Sequence, residues 1–247
     1  VGDLTVNAGG RVNLISGNNK TIQANVVTVN AGGLLDLNNN GLISDGSPAS
    51  SIRQNIKDGR GTGTWNGTTG ITSSAAAANG RFGVGYAEVS AGAGSTTLNI
   101  SSFRGIAVTA GNVVVRATYN GDADLDGDVE STDFNRFAAG YGIVDGSAVW
   151  ANGDFNYDGK VTTEDFNYVA GNFGATPLGS PTPGAGLDDG RDLSAMTLAQ
   201  MGELEVYRDR NLEMRAGKLA YSATPEFDRD GQVSGALGSV VPEPTSF

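Results

Sequence analysis

Hydrophobic and polar residues alternate in short runs over the first 118 residues, and this pattern predicts β-strands. Two of the runs belong to a repeat, because residues 4–10 read LTVNAGG and residues 27–33 read VTVNAGG, 23 positions later. Strand–turn–strand units of this length predict rungs of a parallel β-solenoid, with two hairpins of an ordinary sandwich as the alternative. Two rungs are too few to be stable alone, so we expect another element to cap them.

The middle segment, residues 47–118, combines one predicted helix with several strands. Ile52 and Ile56 share a face of segment 51–58, and Gly59 is a helix-stop signal. Trp65 lies among glycines, where it could be a sugar-stacking platform, although a lone Trp is more often a core residue. Strand-like runs are predicted at 87–89, 97–100, 106–108 and 112–118.

Two later segments have helical spacing instead, and each follows a polar, glycine-containing loop. The loops lie 32 residues apart, so the segments form a second internal repeat. We expect the two helices to pack on each other through these apolar faces. The faces are formed by Phe134, Phe137, Ala138 and Tyr141, and by Phe166, Val169, Ala170 and Phe173.

The rest of the chain has linker composition followed by a short alternating run. Residues 177–184 are rich in Pro and Gly, 193–200 could form a short helix, and 204–214 alternate as in a hairpin. The predicted fold class is mainly β, with solenoid-like and sandwich-like strands and a small α-helical module. The predicted domains are solenoid-like repeats (1–46), a β-rich domain (47–118), the tandem loop–helix module (119–175), and a linker with an extended tail (176–247).

The two polar loops carry oxygen donors at the spacing of a calcium loop. Hard cations take six to eight oxygen ligands, and the glycine at loop position 6 permits the sharp turn that brings them together. Position 7 offers a backbone carbonyl, from Asp128 in the first loop and Lys160 in the second. We therefore predict two calcium ions. Positions 1, 3, 5 and 12 are Asp122, Asp124, Asp126 and Asp133 in the first loop and Asp154, Asn156, Asp158 and Asp165 in the second.

Two other acidic segments match a calcium loop only in part. The segment that begins at Asp36 has Ser47 at position 12, and the one that begins at Glu226 has Leu237 there. Neither residue supplies the bidentate carboxylate that position 12 needs. We expect no calcium at either segment.

The strand-like run at 112–118 leads straight into the first loop, so no helix enters it. A calcium loop followed only by an exiting helix, in tandem and with Asp at position 12, resembles the type I dockerin module, over about 55 residues. The resemblance implies docking on a cohesin through loop positions 10 and 11, where Ser131 and Thr132 match. The basic pair expected further along each helix is missing, since residues 138–139 are Ala-Ala and residues 170–171 are Ala-Gly.

Three further resemblances concern the location of the protein. Residues 241–245, VPEPT, resemble the core of the bacterial PEP-CTERM sorting signal. That resemblance implies export to the cell surface, with a membrane contact only through a C-terminal anchor that has been removed. The repeat at 4–33 is similar to the β-helix repeats of bacterial surface proteins, and the middle block is similar to dockerin-adjacent segments of planctomycete-like secreted proteins.

Composition excludes several classes of function. The net charge of −11 argues against nucleic acid and anionic membranes as partners. The chain has no His and no Cys, which removes Ser-His and Cys-His catalysis, disulfides and the usual zinc sites. The predicted rungs also show no paired acids of the kind that polysaccharide lyases and hydrolases use. We predict no catalytic residues and no enzyme activity.

The sequence therefore predicts a secreted, calcium-stabilised structural protein of the cell surface that assembles with copies of itself into a filament, layer or matrix. The alternative is a dockerin-type anchoring module that binds a cohesin-like domain or a surface polysaccharide. A fragment of a carbohydrate-active enzyme is the third and weakest interpretation.

Overall fold

The computed structural model describes residues 1–92 and 94–176. Strands make up about 25% and helices about 23% of these residues, so the fold is mixed α/β, and the expectation of a mainly β chain is not confirmed. The strands are β1 Leu4–Val6, β2 Arg11–Asn13, β3 Thr21–Ala24, β4 Val27–Val29, β5 Leu34–Asp36, β6 Gly41–Ser44, β7 Gly70–Thr72, β8 Phe82–Val89, β9 Thr97–Leu98, β10 Ser102–Phe103, β11 Ile106–Ala107 and β12 Val113–Tyr119. The helices are α1 Ala49–Arg60, α2 Ser74–Ala78, α3 Ser131–Gly140 and α4 Thr163–Asn172, with a single 3₁₀ turn at Trp150–Asn152.

The N-terminal repeat pairs in parallel with the register that its sequence predicts. Strand β1 pairs with β4 so that Leu4 lies beside Val27, and β2 pairs with β5 so that Arg11 lies beside Leu34. Both offsets equal the 23-residue repeat. Backbone hydrogen bonds continue the pairing at the corner, where the Gly9 N–H donates to the Gly32 carbonyl at 3.1 Å.

The described sheets are open, however, and the solenoid expected from this repeat is not detected. The physical reason lies after β6. There the chain turns into helix α1. After the helix β7 continues the parallel stacking on β5, but β6 pairs antiparallel with β12 from a distant part of the sequence. The β1-β4 and β2-β5-β7 sheets are parallel, whereas the five-stranded sheet mixes parallel and antiparallel pairs.

Strand β12 lies at the centre of a five-stranded sheet with the order β3-β6-β12-β8-β9. All seven of its residues are buried, which explains its run of three valines. The end of β12 leads directly into the first polar loop. The central strand of the sheet thus positions the loop that carries the densest acidic sequence in the chain.

Helix α1 confirms the predicted 51–58 helix and extends it at both ends. Ile52 and Ile56 are completely buried on its inner face. The helix lies so close to β7 that a Cβ atom at Gly59 would be 1.9 Å from the Ile71 carbonyl oxygen. Glycine is therefore required at position 59 by the packing, whereas the predicted stop at Gly59 is wrong, because the helix continues to Arg60 and Gly61 is its C-cap.

One hydrophobic cluster contains residues from each of the first three predicted domains, among them Val6, Ile56, Val115, Trp150 and Phe166. The domain boundaries remain predictions.

Trp65 is 7% exposed, so the core interpretation of this residue is confirmed. Among the described residues no helix is long and apolar enough to cross a membrane. The predicted linker, the 193–200 helix, the 204–214 hairpin and the VPEPT motif lie outside the described residues.

Candidate metal centre

The two polar loops have the same backbone path. In each, position 4 has a left-handed backbone with φ of 65°, at Leu125 and at Tyr157. The glycines at position 6 also have positive φ, 102° at Gly127 and 84° at Gly159. Such conformations cost little for glycine and more for a side chain. The repeated strain at position 4 shows that both loops are held in one specific shape by the contacts around them.

Side-chain oxygens at positions 1, 3 and 5 hold that shape through equivalent hydrogen bonds. The Gly127 N–H donates to Asp122 Oδ2 at 3.0 Å, and the Gly159 N–H donates to Asp154 Oδ2 at 3.0 Å. Position 3 accepts from the position 5 N–H at 3.3 Å in the first loop and 2.9 Å in the second. Position 5 accepts from the position 7 N–H at 3.0 and 2.8 Å. The loops wrap around their own carboxylates.

The carboxylates at position 12 tie each loop to the helix that follows. Asp133 accepts from the Ala123 N–H at 2.7 Å and from the Glu130 N–H at 2.9 Å, closing the loop and capping α3. Asp165 makes the matching bonds at the start of α4. Both side chains are completely buried. Their role as bidentate ligands stays a prediction, and their role in loop closure is visible in these bonds.

In the first loop the predicted ligands converge. Asp122, Asp124 and Asp126 each offer a carboxylate oxygen, and these oxygens lie within 4.8 Å of one another. Asp126, Asp128 and Glu130 form a second such group beside it. In the second loop the same positions are Asp154, Asn156 and Asp158, which share the backbone path and hydrogen bonds described above.

Three buried carboxylate oxygens in the described chain have no hydrogen-bond partner there: Asp122 Oδ1, Asp154 Oδ1 and Asp128 Oδ1. The first two occupy the same place in the two loops, because in both cases Oδ2 accepts the glycine N–H and Oδ1 is left over. A buried charged oxygen without a partner is costly, and native proteins avoid it. The donor set therefore fits a cation at each loop, and it consists only of oxygens.

Burial and crowding raise the pKa values of these acids. Loss of hydration raises the pKa of Asp122 well above its usual range, and the charge of Asp133 adds to the effect. Burial raises the pKa of Asp133 to about 7 and that of Asp165 to about 6. A cation bound among these carboxylates would favour the ionised forms and reverse the shifts.

The loops pack deeply into the rest of the described chain. Trp150 is completely buried, and its Nε1–H donates to the Asp122 carbonyl at 2.6 Å. The Tyr157 hydroxyl donates to the Val84 carbonyl on β8. Between the helices, the Phe137 and Phe166 rings lie 5.9 Å apart and are both buried, as their spacing predicts. Phe134 and Phe173 are only partly buried at the edge of this contact.

One residue at the second loop has no local sequence signal. Arg53 on α1 forms an ion pair with Asp154, with Nη2 2.8 Å from Oδ2, although the two residues are 101 positions apart. At the first loop Arg116 is the nearby cation, but its Nη1 donates to the Leu125 carbonyl at 2.8 Å. Only the strand and helix packing brings these side chains to the loops.

Comparison with known proteins finds no match to a family model, to a curated protein or to a solved structure.

Proposed function

We propose that this protein is a non-enzymatic, calcium-stabilised structural protein of the cell exterior whose two loops each hold one calcium ion. The observation that carries the proposal is the pair of orphaned, buried carboxylate oxygens, Asp122 Oδ1 and Asp154 Oδ1, at equivalent places in two loops with equivalent hydrogen bonds. Asp124, Asp126 and Asp133 would complete the first site together with the Asp128 carbonyl. Asn156, Asp158 and Asp165 would complete the second with the Lys160 carbonyl.

The donor chemistry favours calcium over other divalent cations. All the side chains at ligand positions offer oxygen, and the chain contains no His or Cys with which to hold zinc or copper. Magnesium needs near-ideal octahedral geometry and gives up its water reluctantly, whereas calcium accepts irregular cages of six to eight oxygens. A loop with several carboxylates and a backbone carbonyl therefore suits calcium best.

The packing of the loops supports a structural role for the ions. Tyr157 and Arg53 connect the second loop to β8 and to helix α1, and Trp150 connects the first loop to the 3₁₀ turn before the second. A bound ion would therefore hold together contacts that are distant in the sequence. A small module that exists only to dock a partner has no need of such connections. Metal binding of this kind is coupled to folding.

Strand edges support the proposal that copies of the chain assemble with one another. Within the described sheets β1, β2 and β3, all from the first repeat, have one unpaired edge each. Unpaired edges are templates for strands of another chain unless charges, prolines or bulges block them. Strands of neighbouring copies that pair with these edges would join the chains into a filament, layer or matrix.

One observation favours the alternative function, a dockerin-type anchor for a cohesin-like domain. Ser131 and Thr132, at loop positions 10 and 11, are exposed at the start of α3. If they form a docking surface, replacing both with Ala should abolish retention by an immobilised cohesin without changing the calcium affinity. If the immobilised cohesin does not retain the wild-type protein either, the anchor function is wrong.

The proposed function is tested by thermal unfolding and sedimentation of the full chain in calcium, in magnesium and in chelator. At about 100 times its dissociation constant, calcium at one site should add about 2.7 kcal/mol to the free energy of unfolding. Magnesium at the same concentration should add much less. Equal melting temperatures in calcium and chelator would contradict the calcium role, and a monomer under all conditions would contradict self-assembly.

A further inference from the structure

The two loops treat their position 1 carboxylate differently. Asp122 in the first loop accepts a hydrogen bond from the neutral Thr118 hydroxyl, whereas Asp154 in the second loop pairs with the Arg53 guanidinium. This is the one ion pair in the described chain, and the Asp154 side chain has no solvent exposure. In the second loop the position 1 carboxylate is therefore already paired with a cation that the protein itself supplies.

Helix α1 holds Arg53 firmly in this position. The same Nη2 atom donates to the Ala148 carbonyl at 3.3 Å, just before the second loop. Ile52, the residue next to Arg53, is completely buried in the core, so the helix cannot move away from the loop without exposing it. Arg53 is thus a fixed partner of Asp154 and not a mobile surface charge.

We propose that Arg53 is a resident counter-ion for the second loop. Its guanidinium orients the Asp154 carboxylate in calcium-free protein, and a calcium ion at the second loop would have to share that carboxylate with it, so the second loop is the weaker of the two calcium sites. The inference rests on the proposed calcium function and adds a ranking of the two sites. It also ties calcium binding at the second loop to the docking of helix α1.

The charges at the ligand positions point the same way. The first loop has four carboxylates at positions 1, 3, 5 and 12, whereas Asn156 leaves the second loop with three. Calcium affinity rises with the number of charged ligands. The cation at the first loop, Arg116, donates to a carbonyl and forms no ion pair with Asp122 among the described residues. The Arg116 charge still acts on Asp122 through space, but no guanidinium is bonded to this carboxylate in the way that Arg53 is bonded to Asp154.

Loss of Arg53 should lower the stability of calcium-free protein and yet raise the calcium affinity of the second loop. Removing one partner of a buried ion pair destabilises a protein because it leaves the other charge uncompensated. Without Arg53, Asp154 would have calcium as its only counter-ion. Calcium-free protein should then be less stable, and the second loop should bind calcium more tightly. If Arg53 only supported the fold, its loss would leave the calcium affinity unchanged or lower it.

The test is isothermal titration of the full chain with calcium at neutral pH. Asp126 and Asp158, both at position 5, are exposed, so Asp126→Ala isolates the second loop and Asp158→Ala isolates the first. We expect D158A to bind one calcium more tightly than D126A does. Adding Arg53→Gln to D126A should raise its calcium affinity at least about tenfold, which is about 1.4 kcal/mol.

Lys57→Gln in D126A is the matched control. It removes the same charge from the same helix, yet Lys57 takes no part in the side-chain bonds of the loop. Its effect on calcium affinity should stay below about twofold. Should the double variant fail to fold, R53Q in the otherwise unchanged chain gives the same readout as the second of two binding steps, because the first loop is intact.

The possible results separate the two claims. If calcium binds to D126A but R53Q leaves its affinity unchanged or lower, the counter-ion proposal is overturned and the calcium function stands. The ranking of the loops is wrong if D126A binds more tightly than D158A. If wild-type protein takes up no calcium at all, the proposed function falls and this inference falls with it.

Discussion

At the scale of single residues, the position 1 carboxylates combine full burial with an oxygen that accepts no hydrogen bond in the described chain. Asp122 is completely buried, its Oδ2 accepts two hydrogen bonds, and its Oδ1 accepts none. Asp133 and Asp124 add negative charge nearby. Such a site is unfavourable without a cation and favourable with one. Whether a mutation of this carboxylate raises or lowers the free energy of unfolding should therefore depend on whether calcium is present.

Asp122→Asn should reverse its effect between the two conditions. The amide keeps one oxygen for the Gly127 N–H and removes a buried, uncompensated charge, so in chelator the free energy of unfolding should rise by about 1–2 kcal/mol. In calcium the variant should lose one site and unfold at a lower temperature than wild type. Glu88→Gln, which removes an exposed charge on β8, is the control. It should change neither the free energy of unfolding in chelator nor the unfolding temperature in calcium. Destabilisation of D122N in chelator would contradict the prediction.

The pH dependence of stability follows from the raised pKa values of Asp133, about 7, and Asp165, about 6. Their ordinary pKa is near 3.8, so between about pH 4 and 7 the folded state binds more protons than the unfolded state. The free energy of unfolding must then fall as the pH rises through this window. We expect chelated protein to melt at a higher temperature at pH 5 than at pH 7.5.

Calcium should remove or invert this dependence, because the ion competes with protons for the same carboxylates. Melting curves across the pH window, with and without calcium, are the measurement. A chelated protein that gains stability on going from pH 5 to 7.5 would show that these carboxyl groups are not held protonated by burial.

At the scale of elements, the two loop–helix units support each other through one aromatic contact. Phe137 is completely buried and its ring lies 5.9 Å from the Phe166 ring, whereas Phe134 is only partly buried. Phe137→Ala should lower the free energy of unfolding by about 3–5 kcal/mol, and Phe134→Ala should cost clearly less. Chemical denaturation in calcium measures both. Equal losses for the two variants would place the helix contact elsewhere.

The sequence predicts an element well when the residues that form it lie close together in the chain, and poorly when they lie far apart. The two polar loops are recognisable because their oxygen donors lie within 12 residues, and the parallel pairing of 4–10 with 27–33 follows from an internal repeat. The solenoid prediction failed because pairing between β6 and β12 depends on residues about 70 positions apart. Arg53–Asp154 and Tyr157–Val84 were not predicted for the same reason.

At the scale of the whole molecule, calcium and assembly are two claims that can be separated. The alternating run at 204–214 belongs to a tail, residues 192–247, that we expect to add a strand to a neighbouring copy; these residues lie outside the described part of the chain. Deleting them should leave soluble monomers that still bind calcium, measured by analytical ultracentrifugation. A truncated chain that still assembles would rule out strand exchange by the tail and leave the open edges of β1, β2 and β3 as the joining surface.

The central claim is that each of the two loops holds one calcium ion. Native mass spectrometry of the full chain, first chelated and then exchanged into calcium, counts bound ions directly. We predict a shift by two calcium ions in wild type, by one in Asp126→Ala and in Asp158→Ala, and by none in the double variant. A wild-type mass that does not change with calcium, or that changes equally in the double variant, would contradict the account.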